Sequence, residues 1–205
     1  INPFKSLLFD RTIPKDVTFF STLLILIPVV LITGPALPDI FLSLIALYFL
    51  VKSIFYKKWH YYKNKIVLGF LLFSGYGIIR SVFSEFPIES LTNEGSVFYF
   101  RYIFFAMGVW YLVDENPYLT RCLLVISIFC LIIVCVDGTY QYLLDVNIFG
   151  NEKHSIFRLT GLFGKEPILG RYIALLSIFT FALMYKYVGN SKKRIILSVA
   201  FLVMC

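Results

Sequence analysis

Six long apolar runs, parted by short stretches rich in Lys, Gly and Pro, divide the chain, and a seventh begins before its end. They are Val17–Gly34, Ala36–Val51, Ile66–Phe83, Val97–Val113, Leu119–Val136 and Ile168–Val188, then Ile195–Cys205. Eighteen residues of α-helix reach about 27 Å, close to the hydrocarbon thickness of a bilayer. Each run therefore predicts a membrane-crossing helix, the second a little short. The expected fold is all-α: one polytopic transmembrane helical bundle over residues 1–205, with six full spans and the start of a seventh. Gly34-Pro35 and Pro38 predict a tight hairpin between the first two spans, and Asn116-Pro117 another between the fourth and fifth. The longest connection, residues 137–167, exceeds a mere turn, and loops of that length usually carry function. Its first part, Tyr140–Phe149, is amphipathic enough to lie along a membrane surface as a short helix.

Composition agrees with the pattern. The chain is 59% hydrophobic over 205 residues, with a mean hydropathy of +0.82. A soluble domain of this size would leave too much apolar surface in water. The four cysteines, Cys122, Cys130, Cys135 and Cys205, all lie in apolar runs without a CxxC pair, and read as small hydrophobes. No cleavable signal peptide is expected. The chain starts without Met and stops inside an apolar run, which suggests a piece of a longer protein.

The net charge of +7 changes the picture only through its distribution. With the N-terminus in the cytoplasm, thirteen Lys and Arg fall on the inner side, from Lys5 to Arg194. The outer loops then hold only Lys153, Arg158 and Lys165, together with Glu85, Glu89 and Glu94. The positive-inside rule selects this orientation, and topology rather than nucleic acid explains the basic balance. Tyr56, Trp59, Tyr61 and Tyr62 at one end, and Tyr140 and Tyr142 at the other, suit interfacial anchoring.

Three cations lie inside spans. Arg80, Arg101 and Arg171 each stand about one helical turn from the outer surface. A single such arginine can snorkel to interfacial phosphate. Three at one depth, with Arg158 in the outer loop as a fourth, also suit a site for a lipid phosphate or pyrophosphate, which the Arg fork grips bidentately. The outer loop holds His154 beside Glu152, with Asp137, Asp145 and Glu166 nearby. A His–Glu neighbourhood can do acid–base work, though a solvated loop histidine has the same appearance. His60 reads as interfacial, and Asp39 as favouring the helix dipole at a helix start. No metal-ligand spacing, nucleophile elbow or phosphate loop is present in the sequence.

In the outer loop the chain resembles the O-antigen polymerase and O-antigen ligase family of bacterial envelope proteins. The resemblance rests on Gly138-Thr139-Tyr140-Gln141, Asn147-Ile148-Phe149-Gly150, Arg158-Leu159-Thr160-Gly161-Leu162-Phe163-Gly164 and Pro167-Ile168-Leu169-Gly170-Arg171-Tyr172. The preceding five spans fit the family's hydropathy profile. Many members carry Asn after the proline, where this chain has Ile168, so it would be a divergent one. The resemblance implies a multi-span glycosyltransferase of the inner membrane, working in lipopolysaccharide or related polysaccharide synthesis. It would take a glycan from an undecaprenyl pyrophosphate donor at the periplasmic face and pass it to a lipid or glycan acceptor, with no metal or other cofactor. Arg158, within the matched motif, and Arg171, just beyond it, would hold the pyrophosphate; Arg80 and Arg101 join them by depth alone. The family's presumed catalytic histidine lies in a later periplasmic loop, so His154 does not take that role. A transporter or exporter of anionic solutes or lipids is the rival expectation, and a structural membrane subunit a third. A transporter would show midplane polar groups and internal symmetry, which the sequence lacks.

Overall fold

Long apolar runs leave the backbone to satisfy its own hydrogen bonds, and the structure is accordingly helical. The computed structural model describes residues 12–34, 36–92, 99–151, 159–164, 166–188 and 193–194. In order these form α1 (Lys15–Val30), a 3-10 turn Leu31–Thr33, α2 (Ala36–Phe55), a 3-10 helix Trp59–Lys63, α3 (Lys65–Val82), α4 (Pro87–Thr92), α5 (Tyr99–Glu115), α6 (Leu119–Leu144), a 3-10 turn Gly161–Phe163, and α7 (Leu169–Tyr187). Five stretches are long and apolar enough to cross a membrane: Lys15–Thr33, α2, α3, α6 and α7. This is the architecture of a multi-span helical membrane protein.

The six expected full spans become five among the described residues. The fourth, expected at Val97–Val113, appears as α5, which has 17 residues and carries Arg101 near its start and Asp114 and Glu115 at its end. The seventh, from Ile195, lies outside the described residues.

Two boundaries differ for physical reasons. The second span starts at Ala36 as expected, with Pro38 buried in the first turn of α2, where a missing N–H costs nothing, but it runs past Val51 to Phe55. The fifth span does not stop at Val136. It continues eight residues further as α6, so the connection expected at residues 137–167 starts only at Asp145. Tyr140–Leu144 is thus the last part of a long helix rather than a separate surface helix.

The chain divides into two compact units. One comprises Ile13–Leu24 and Pro38–Asn116. Its centre is Ile45, Phe49, Met107 and Leu112, all fully buried. A β-carbon on Gly108 would lie 3.0 Å from Ile45 Cγ2 and 3.1 Å from its carbonyl oxygen, so glycine permits the close approach of α2 and α5. Polar groups at one end are paired: Lys52 with Asp16 at 2.6 Å, Lys58 with Glu115 at 3.2 Å, and the Tyr61 hydroxyl with Asp114 at 2.9 Å. Burial, then the bond to Asp114, pushes the Tyr61 phenol above its usual value of 10.0.

Among the described residues, the other unit takes in Thr12, Ile25–Leu37 and those from Pro117 onward. Its core joins Cys130 and Val134 of α6, Phe163, and Leu169, Tyr172 and Leu176 of α7. Tyr172 donates its hydroxyl to the Pro28 carbonyl at 2.7 Å, an acceptor near the end of α1.

Candidate functional site

The motif stretches singled out in the sequence meet at the end of α6. Asp137 and Gln141 are one helical turn apart and so share a face; both side chains are fully buried. Gln141 uses its whole amide. Its oxygen accepts from the backbone N–H of Thr160 at 2.9 Å and of Gly161 at 2.8 Å, and its nitrogen donates to Thr160 Oγ1 at 3.0 Å and the Asn151 carbonyl at 3.3 Å. Four bonds are the full capacity of a Gln side chain.

Asn147 organises the turn that follows α6. Its Oδ1 accepts from the backbone N–H groups of Phe149 and Asn151, at 3.0 and 2.8 Å. Its Nδ2 donates to the Gly161 carbonyl at 2.5 Å, tying this turn to the next. Asp145, in left-handed backbone geometry, ends α6, its N–H bonding back to the Gln141 carbonyl at 3.0 Å. Asp137 Oδ1 accepts from the Ile148 N–H at 3.0 Å, while its buried Oδ2 has no hydrogen-bond partner among the described residues.

Gly161 closes the arrangement. Its φ is +55°, and a β-carbon there would lie 2.4 Å from Leu169 Cδ1 and 3.1 Å from Asp137 Oδ2. Only glycine fits both the backbone angle and the space. The loop is therefore a built element clamped from below by two helical side chains, and it leads directly into α7.

The expected phosphate-binding arginines fare differently. Arg158 lies outside the described residues, as do His154 and Glu152. Arg171 is the third residue of α7 and is exposed, with no ion pair or hydrogen bond from its guanidinium to another described residue. Arg101, the third residue of α5, is already engaged: Nη2 lies 2.7 Å from Asp39 Oδ1 and Nη1 donates to Asp39 Oδ2 at 2.8 Å. Nη2 also donates to the Tyr102 hydroxyl at 3.2 Å, and the guanidinium lies 5.0 Å from that ring's centroid. Asp39 thus faces a cation on α5, beyond the helix-start role the sequence suggested. Arg80, near the end of α3, is exposed and lines a small polar cavity with Ser81, Phe83, Ser84, Glu85, Phe86 and Ser90. Arg80 and Arg101 stand on helices that pack together, but their guanidinium groups have different surroundings.

The Asp137–Gln141 pair is hidden in the sequence: the two polar residues stand four apart, one helical turn, but Asp137-Gly138 reads as a turn dipeptide that would end the apolar run. Compared with protein-family models, with curated proteins and with solved structures, the chain matches none.

Proposed function

We propose that this protein is a glycosyltransferase of the O-antigen polymerase and ligase type, moving a glycan from an undecaprenyl pyrophosphate donor to a lipid or glycan acceptor at the periplasmic face of a bacterial inner membrane. In this reading the N-terminus is cytoplasmic, and Arg158 and Arg171 neutralise the pyrophosphate as it departs. Stabilising the charge that builds on a leaving group is often what lowers the barrier of such a transfer most.

One observation supports this most. Gln141, Asn147, Thr160 and Gly161, which carry the family-like pattern, are the residues that make the buried hydrogen-bond network. A pattern with a shared structural task is less easily ascribed to chance similarity. The exposed Arg171 one turn into α7 then has its charge free for a ligand. Arg101, held by both oxygens of Asp39, is less suited to that role.

The test is replacement of Arg158 or Arg171 by Ala in the full-length protein in its own bacterium. Long-chain glycan should vanish from gels while the protein remains in the membrane. Unchanged glycan ladders at normal protein levels would overturn the proposal, and uptake of an anionic solute by proteoliposomes would favour a transporter instead.

A further inference from the structure

Between α3 and α5 runs an apolar groove of about 860 Å³, lined by residues from Ile66 to Ser81 on one side and from Tyr99 to Ala106 on the other. Fifteen helical steps separate Ile66 from Ser81, roughly 22 Å of length, so the groove follows most of α3. Small residues usually let membrane helices approach closely. Here Ser74, Gly77 and Ser81 on α3 do not: a β-carbon on Gly77 would meet nothing within 4 Å. The small side chains hollow out the interface.

The groove adjoins the polar cavity of about 450 Å³ at the end of α3, and Ser81 lines both. That cavity is fixed by hydrogen bonds from Ser84 Oγ to the Ser81 carbonyl at 2.8 Å and to Ser90 Oγ at 3.0 Å. Arg80 and Glu85 both line it. Neither is in an ion pair with the other or with any described residue. Opposite charges that share a small cavity without pairing suit a ligand that carries both signs.

We infer that the α3–α5 groove and the adjoining Arg80–Glu85 cavity hold one zwitterionic glycerophospholipid, its chain along the groove, its phosphate at Arg80 and its ammonium at Glu85. An acidic lipid would satisfy Arg80 but meet the Glu85 carboxylate, and an uncharged one would leave both charges unmatched. Phosphate is bound by an arginine fork through charge-assisted hydrogen bonds. The ammonium has a carboxylate, and the Phe83 and Phe86 rings line the same cavity. This site does not depend on the transferase proposal, since glycan ladders and lipid retention are separate measurements.

The test uses the full-length protein reconstituted in nanodiscs of equal phosphatidylethanolamine and phosphatidylglycerol, then released into mild detergent for native mass spectrometry. One phosphatidylethanolamine should remain bound. Gly77→Leu, which fills the groove, should cut retention at least about tenfold, whereas Gly69→Leu should leave it unchanged. Gly69 is an apt control: it too has open space around its β-carbon position but does not line the groove. Arg80→Gln and Glu85→Gln, both at exposed positions, should each weaken retention roughly tenfold and keep the test decisive if Gly77→Leu fails to fold. Retention of phosphatidylglycerol in preference would overturn the assignment. So would no retained lipid, equal loss in both glycine variants, or a second copy of the chain released by Gly77→Leu.

Discussion

Gln141 and Thr160, nineteen residues apart, are joined both ways: the Gln141 side chain accepts from the Thr160 backbone N–H and donates to the Thr160 hydroxyl. Replacing Gln141 by Leu keeps the volume but strands two buried backbone donors, those of Thr160 and Gly161. Each stranded group costs about 1–3 kcal/mol, so the variant should lose roughly 2–6 kcal/mol in denaturant unfolding in detergent. Proteolytic nicking between residues 145 and 164 should rise in parallel.

Gly161→Ala adds a backbone penalty of about 1–2 kcal/mol for positive φ to a clash with Leu169. The clash, a form of overpacking, is worth about 1–3 kcal/mol. Combining it with Leu169→Ala should give a loss smaller than the sum of the single losses by about 1 kcal/mol or more, measured as a double-mutant cycle. Strict additivity would show that Leu169 does not press on this position.

Asp137→Asn and Asp137→Leu should separate. Asparagine keeps the oxygen that accepts from the Ile148 N–H and changes only the other terminal atom, which has no hydrogen-bond partner among the described residues. It should leave stability within about 1 kcal/mol, whereas leucine leaves the Ile148 N–H unmet and should cost about 1–3 kcal/mol.

The Arg101–Asp39 pair is partly open to solvent, with side-chain exposures of 30% and 48%. Its coupling energy, from Arg101→Met and Asp39→Asn in a cycle, should therefore be about 1 kcal/mol rather than that of a buried pair. Arg101→Lys should recover only part of it, because a lysine cannot present two parallel donors. By contrast Arg171→Ala should change stability by no more than about 0.5 kcal/mol, as expected of an exposed side chain with no ion pair among the described residues.

Tyr61 gives a pH prediction. Its folded pKa lies above the usual 10.0 because burial and Asp114 disfavour the phenolate. The stabilisation is complete below the unfolded value and is lost as pH rises through the folded one. Stability should thus hold to about pH 10 and decline above it, and Tyr61→Phe should flatten that decline.

The helices were legible because apolar runs of membrane length leave little choice of structure, and Leu119 and Lys65 start their helices within a residue of expectation. The end of α6 was not. Asp137 and Gln141 look like the beginning of a loop until the loop is seen folding back to satisfy them, a long-range event that no local window contains. Depth picked out the three arginines within spans, but depth says nothing about azimuth or neighbours. Asp39, sixty-two positions away in sequence, claims Arg101 all the same.

At 26 residues, α6 is about 39 Å long, some 9 Å more than a typical hydrocarbon core. An upright α6 would lift the carboxamide clamp clear of the acyl chains, where stray amides and carbonyls find water. A steep tilt would instead drag the same groups into oil. Membrane thickness thus becomes a control on the loop: a thick bilayer should strain the clamp, and a thin one relieve it.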